Sequence, residues 1–139
     1  MPEHQDFASV VHLRSEDTAE VLSLIEVRVP ANWPGPPLHH HAFDETFHVL
    51  AGELTFQVGD ELIAAGAGTT AFAPRDAVHT LANHADAPAR YLLICTPGGF
   101  ERRFDRLAPD PPLSAAKSWP ETTTVGPQID PARPVDRRL

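Results

Sequence analysis

Three consecutive histidines followed closely by a glutamate stand out in the sequence as residues that could hold a metal ion. The stretch "HHHAFDE" begins at His39, and imidazole and carboxylate groups together are ligands for first-row transition metals. Because alternate side chains of a strand share a face, His39 and His41 can point at one ion while His40 points away. Glu45 has the same parity but would lie about 13 Å beyond His41 in a continuous strand. If the three converge, the chain must reverse at residues 42–44, and Glu45 must lie near the start of a returning strand.

A fourth ligand is offered by His79, which follows a proline-marked turn in "PRDAVHTLAN". The whole pattern resembles the two sequence motifs of the cupin superfamily, and it consists of Gly35, His39-x-His41, Glu45 and Gly52, followed by Gly68, Pro74, His79 and Asn83. It departs from the motifs at the first glycine, which is nearer to the histidines, and at Asp76, where a glycine is usual. The resemblance implies one divalent transition metal ion per chain (Fe, Mn, Ni, Co, Cu or Zn), held inside a small β-barrel by His39, His41, Glu45 and His79.

Two later segments, "TPGGFERRFDRL" and "TVGP", extend the similarity toward small bacterial cupins that resemble quercetin 2,3-dioxygenase. This resemblance implies a metal-dependent dioxygenase that acts on a small phenolic or enolic molecule. The same kind of site also suits non-redox cyclisation or isomerisation of a polyketide-like substrate, or small-molecule binding without turnover. Glu45 is the predicted catalytic residue, either as a metal ligand or as the general base that takes the substrate's hydroxyl proton.

Apolar side chains near the predicted ligands are candidates for the wall of a substrate pocket. Phe100 could close the mouth of the barrel, where binding sites in barrels tend to lie. Core packing explains the other candidates equally well. The predicted pocket residues are Phe47, Phe56, Phe72, Leu93 and Phe100.

The segments that must position these residues are predicted to be short strands. Residues 19–29 are rich in apolar and β-branched residues and alternate in polarity toward their end, which predicts a strand with Ile25, Val27 and Val29 on the buried face. Further short strands, separated by Gly and Pro, recur about every ten residues, a spacing typical of an all-β sandwich or barrel. The resemblance specifies a cupin-type double-stranded β-helix, or jelly-roll barrel. After it, the spacing of apolar residues in "FERRFDRLA" predicts a short amphipathic helix.

The chain of 139 residues is long enough for one domain. We assign residues 1–108 to a single cupin barrel with its short C-terminal helix. Residues 109–139 contain seven prolines and are predicted to be a C-terminal extension, either a strap that packs on the barrel or a partly disordered tail.

The charge and the hydropathy of the sequence restrict the binding partners that the protein can have. The net charge is −8, and residues 1–99 contain 13 acidic but only 4 basic groups, which argues against nucleic acid or an anionic membrane as a partner. No apolar run reaches the roughly 18 to 20 residues that span a bilayer, and the polar N-terminus lacks a signal-peptide core, so a cytoplasmic protein is expected.

Leu22 and Leu24 share the outer face of the predicted first strand, which indicates a homodimer in which the N-terminal strand could extend the partner's sheet.

Overall fold

The computed structural model describes residues 7–107, 109–117, 119 and 121–138. Its strands form two sheets, and apolar side chains from both sheets meet in the main hydrophobic core. The first sheet has five strands, in the spatial order β1 (Ala8–Leu13), β2 (Ser23–Val29), β9 (Ala89–Thr96), β4 (Asp44–Ala51) and β7 (Thr70–Ala73). The second has six, in the order β10 (Thr123–Thr124), β3 (His39–His40), β8 (His79–Ala82), β5 (Glu53–Val58), β6 (Glu61–Gly66) and β11 (Asp136–Arg138).

This architecture confirms the predicted fold class, an all-β double-stranded β-helix. The strands pair antiparallel, apart from β11, which runs parallel to β6. The predicted alternation in β2 is also correct, because Ile25, Val27 and Val29 are fully buried. One α-helix, α1 (Glu101–Asp105), and two 3-10 helices, Ser15–Thr18 and Leu113–Ala116, complete the described elements. No helix in the described part of the chain is long and apolar enough to cross a membrane.

The N-terminal region differs from the sequence prediction in two ways. The strand expected over residues 19–29 begins only at Ser23, because Ala19 and Glu20 adopt left-handed backbone conformations with φ of 52° and 66°. In addition, β1 was not predicted. It is a mostly exposed edge strand that pairs with β2 of its own chain, so it lacks the regular burial alternation that marks a strand in a sequence.

Two turns that precede ligand-bearing strands contain residues with positive φ. Gly35 has a φ of 75°, and a Cβ on it would lie 1.7 Å from the carbonyl oxygen of Leu81. Only glycine allows this approach, so the loop before β3 packs directly on β8. Asp76 has a φ of 66°, a conformation that Asp tolerates better than most residues. The turn before β8 therefore keeps a glycine-like shape although the usual glycine of the motif is absent.

Helix α1 is joined to the N-terminal segment by charged side chains. Asp105 accepts hydrogen bonds from the guanidinium of Arg14. The carboxylate of Glu101 accepts the backbone N–H of Ser15 at 2.7 Å, and it also accepts the N–H of Gly99. The bonds to Arg14 and Ser15 link residues about 90 positions apart and fix the helix over one end of the barrel.

The C-terminal extension lies along the second sheet as a strap. Thr124 pairs with His39 in the short β10–β3 ladder. Further along, Gln128 donates a hydrogen bond to the carbonyl of Gly35, and Ile129 is buried beside Leu62. The last described strand, β11, then covers the edge of β6.

Candidate metal centre and cavity

The structure brings the four predicted ligands together. His39 lies in β3, directly opposite His79 in β8. Where a reversal was predicted, the chain bends at residues 42–43 and passes from β3 in the second sheet to β4 in the first, and Glu45 lies near the start of β4. One ligand atom from each of the four residues lies within 4.8 Å of the others. We refer to His39, His41, Glu45 and His79 as the metal cluster.

The orientation of each imidazole in the cluster is set by its own local backbone. Every Nδ1 is within hydrogen-bond distance of a carbonyl oxygen two residues away, and a carbonyl can only accept, so each Nδ1 carries the hydrogen. Each Nε2 is then left facing the interior of the cluster as a potential ligand. The three contacts are His39 to Pro37 at 2.6 Å, His41 to Phe43 at 3.1 Å, and His79 to Ala77 at 2.9 Å.

The donor set of the cluster fits a divalent cation. Oε1 of Glu45 contacts Nε2 of His41 and lies 3.0 Å from Nε2 of His79. Neutral imidazoles with hydrogen on Nδ1 would place lone pairs against this carboxylate, so either a cation or protons must lie between them. A transition metal ion supplies that charge, and buried imidazole and carboxylate ligands suit it.

The pKa shifts of the cluster residues agree with a positive charge between the Glu45 carboxylate and the imidazoles. Burial would raise the pKa of Glu45, but hydrogen bonds to His41 and His79 outweigh it and lower the pKa to about 2. Burial would lower the pKa of His79, yet the hydrogen bond and charge of Glu45 raise it. Burial lowers the pKa of His39. Glu45 is therefore a carboxylate at neutral pH, and it holds a positive partner beside it.

A cavity of about 460 Å³ adjoins the metal cluster, within the range of small-molecule sites. Its walls are mainly apolar and aromatic. The lining residues outside the cluster are Phe7, Trp33, Gly35, Pro36, Phe47, Leu81, Tyr91, Leu93, Phe100, Arg103, Phe104 and Leu107. The last four belong to residues 100–107, which we call the cover segment because it closes one side of the cavity.

Three of the five predicted pocket residues, Phe47, Leu93 and Phe100, line this cavity. The other two predictions are corrected by the structure. Phe72 is 54% exposed and pairs with Thr46 on the outer face of the sheet, while its small neighbours in β7 point inward. Phe56 is 1% exposed and packs behind Phe47, with ring centroids 5.1 Å apart, so it belongs to the core and not to the wall.

Several lining residues were missed by the sequence prediction, although two of them carried a readable signal. Tyr91 has the same strand parity as Leu93, so alternation places both on the inner face of β9. Arg103 shares a helical face with Phe100 through its i, i+3 spacing. Phe7 offered no such signal, because only the tertiary fold brings it to Trp33, with ring centroids 6.3 Å apart.

The fold and the cluster together define a small β-barrel protein with a candidate metal site. The sequence model of the cupin domain matches residues 25–95, which is just over half of the chain, so this protein belongs to the cupin family. A search of curated protein sequences finds no match to this chain.

Solved structures of other proteins share the fold. TT1209 from Thermus thermophilus is 26% identical, with a TM-score of 0.58 over 67% of this chain and 85% of that one. The DMSP lyase DddQ from Ruegeria pomeroyi is also 26% identical, with a TM-score of 0.57 over 67% of this chain and 48% of that one. The polyketide cyclase RemF from Streptomyces resistomycificus is 22% identical, with a TM-score of 0.57 over 66% of each chain, and this last similarity shows the fold alone.

Proposed function

We propose that this cupin is a metal-dependent enzyme that acts on a small phenolic or enolic molecule, with quercetinase-like dioxygenation as its leading reaction. The observation that carries the proposal is the position of the metal cluster, which opens onto an apolar cavity through His39, Glu45 and His79. A substrate in that cavity can present oxygen atoms to the cluster while its carbon skeleton contacts the apolar walls.

The metal cluster would hold one divalent ion through the Nε2 atoms of three histidines and the carboxylate of Glu45. When bound, such an ion supplies Lewis acidity and, if it is redox-active, the means to activate dioxygen. The protein's own contribution is to keep the imidazoles oriented by their backbone hydrogen bonds before any substrate arrives.

Glu45 is placed to act as a general base. Its Oε1 faces His41 and His79, whereas Oε2 has no hydrogen-bond partner among the described residues. Oε2 can therefore accept the proton of a substrate hydroxyl, which leaves the substrate as a phenolate or enolate. The low pKa of Glu45 in the metal-free site keeps the carboxylate ionised at neutral pH. Transfer of the proton to it would be driven by a bound ion that lowers the pKa of the substrate hydroxyl.

The apolar walls would protect the reacting molecule from water. Phe47, Leu81 and Leu93 project from three different strands into the cavity, and Phe100 covers them from the cover segment. Exclusion of water strengthens electrostatic interactions in the site and limits hydrolysis of reactive species. This favours chemistry in which an electron-rich carbanion-like or enolate-like species must survive long enough to react.

A non-redox reaction is the second candidate, and a specific similarity favours it. DddQ, named as a DMSP lyase, is 26% identical to this chain, and the match covers 67% of this chain and 48% of DddQ. Elimination needs a base but no dioxygen. In that case Glu45 would remove a proton from carbon instead of oxygen. Cyclisation or isomerisation of a polyketide-like molecule would use the same two catalytic groups, a Lewis acid and a base.

Turnover without oxygen separates the two candidates. Protein reconstituted with Fe, Mn, Ni, Co, Cu or Zn should be tested on flavonols, catechols and enediols, with oxygen consumption recorded beside substrate loss. Dioxygenation predicts that uptake of O₂ matches substrate loss and that strict anaerobiosis stops the reaction. Undiminished anaerobic turnover, especially with Zn²⁺, would eliminate dioxygenation and establish the non-redox reaction, because zinc has no redox chemistry.

We also propose a homodimer and a cytoplasmic location. Leu22 and Leu24 are half-buried within one chain, and β1 leaves an unpaired edge beside the exposed Val10. Edge strands of this kind invite pairing with another chain. Light scattering at tens of micromolar protein should give the mass of two chains, and a monomer under these conditions would exclude a stable dimer.

A further inference from the structure

Residues 101–106 include five charged side chains, and all but one of them help to hold the cover segment in place. Four of the five form hydrogen bonds or ion pairs that hold the cover segment in place: Glu101 with the backbone of Ser15 and Gly99, Arg102 with Glu16, Asp105 with Arg14, and Arg106 with the carbonyls of Ala115 and Lys117. The guanidinium of Arg103 forms no ion pair or hydrogen bond with any of the described residues. Its charge is therefore not used to hold the cover segment.

Arg103 instead faces the cavity. It shares one helical face with Phe100, Phe104 and Leu107, and all four line the cavity wall. Its guanidinium carbon lies 5.9 Å from the centre of the Phe100 ring, whose centre is 6.1 Å from that of the His41 ring. Of the lining side chains in the described ranges, Arg103 is the charged one outside the metal cluster.

A second polar group lies in the same cavity. Tyr91, on β9, is 4% exposed and lines the cavity, but its hydroxyl forms no hydrogen bond with the described part of the chain. Buried tyrosine hydroxyls usually have a partner. Burial and the charge of Glu45 raise the pKa of Tyr91, so the phenol is a protonated donor at neutral pH. It lines the same cavity as the Arg103 guanidinium.

We propose that Arg103 and Tyr91 form a second binding subsite, which receives a carboxylate of the substrate while its chelating oxygens face the metal cluster. Both groups offer donors, and the planar guanidinium fork matches a carboxylate. One positive charge also neutralises one negative charge, which favours a monocarboxylate over a phosphate dianion. The inference rests on the proposed function and names its substrate class, a small aromatic or enolic acid.

Catechol acids and their methyl esters provide the test. The probes are protocatechuate, homoprotocatechuate and dihydrocaffeate, which place the carboxylate at increasing distances from the two chelating hydroxyls. Binding to zinc-loaded protein is measured by calorimetry, because zinc prevents redox turnover. The best acid should bind about tenfold tighter than its own ester, a ratio of the size expected for a charge-assisted contact.

Substitutions test whether Arg103 and Tyr91 cause the preference for the acid over its ester. Arg103→Gln should reduce the acid-to-ester preference to within about twofold without weakening the ester, and Arg103→Lys should keep part of it, since the charge remains but the fork is lost. Tyr91→Phe should weaken the acid about threefold and leave the ester unchanged. Arg28→Gln is the matched control, because it removes the same charge from an exposed position on β2 outside the cavity and should keep the full preference.

Three results would overturn the subsite: no acid that outranks its ester in the parent protein, an unchanged preference in Arg103→Gln, or an equal loss in Arg28→Gln. An unchanged acid affinity in Tyr91→Phe would remove Tyr91 from the subsite. Zinc content and oxygen uptake with neutral catechol are recorded for each variant. A failure of dioxygenation would appear in oxygen uptake alone and would leave the acid-to-ester ratio intact.

Discussion

The metal cluster and the cover segment lie against the same cavity but are held in place in different ways. Each histidine of the cluster is oriented by a carbonyl two residues away, so its geometry is largely a property of its own short stretch of chain. The cover segment is held by partners about 90 residues distant, such as Arg14 and Ser15. The orientation of each candidate ligand is thus set locally, whereas the shape and charge of the cavity mouth depend on long-range contacts and can vary separately.

Removal of a cluster histidine should have the largest effect. His41→Ala and His79→Ala each delete a buried ligand that no neighbouring side chain can replace, so stoichiometric metal should be lost in elemental measurements on purified protein. His40→Ala is the control, because His40 lies outside the cluster and should leave metal content nearly unchanged. Full metal retention in His79→Ala would disprove the four-ligand site.

Glu45→Gln should separate catalysis from metal binding. The amide can still offer an oxygen to a metal but cannot accept a proton, so the turnover rate should fall about 100-fold or more while metal content falls much less. Steady-state rates and metal content measured on the same samples check this. If rate and metal content decline in parallel, Glu45 acts only as a ligand.

Loss of a long-range contact should affect the cover segment without disturbing the cluster. Asp105 is 5% exposed and pairs with Arg14, so Asp105→Asn should lower the free energy of unfolding by about 2 kcal/mol, as expected for a hydrogen bond to a charged group. Urea unfolding measures this change, and metal content should stay constant.

The exposed pair of Arg137 and Glu53 provides the control for that experiment. Glu53→Gln should change stability by less than about 1 kcal/mol, because solvent screens a surface ion pair. Equal effects of the two substitutions, or metal loss in Asp105→Asn, would contradict the separation between cover segment and cluster.

The final expected effect is a pH dependence of metal binding. The pKa of His79 is raised in the metal-free site by Glu45, whereas a ligating imidazole must be neutral. Below that raised pKa, binding must displace a proton, so affinity should fall by up to about tenfold per pH unit as the pH decreases, and should level off above it. Calorimetry with Co²⁺ in buffers of different ionisation enthalpy measures the released protons, and a release that does not increase between pH 8 and pH 6 would refute this.

Much of the site could be predicted from the sequence because strand parity and motif spacing are local properties. The parity of His39 and His41, together with the required reversal before Glu45, determined which side chains could converge. The wall of the cavity was less predictable, since an inward-facing aromatic residue can belong either to the wall or to the core. Phe56 and Phe47 illustrate this ambiguity, because both face inward but only Phe47 reaches the cavity.

The sequence by itself therefore indicated an all-β sandwich or barrel, the four candidate ligands and the short helix after β9, because these follow from periodicity, turn residues and chemical type. The resemblance of the two motifs then specified the jelly-roll barrel. Only the tertiary structure decided that β1 covers β2, that the strap pairs with His39, and that Arg103 turns toward the cavity that Tyr91 also lines. These contacts join residues far apart in the chain, and no local pattern specifies which of several exposed or polar groups will meet. The physical reason is that long-range packing is selected by the complementarity of whole surfaces, and a sequence pattern describes only one of the two surfaces at a time.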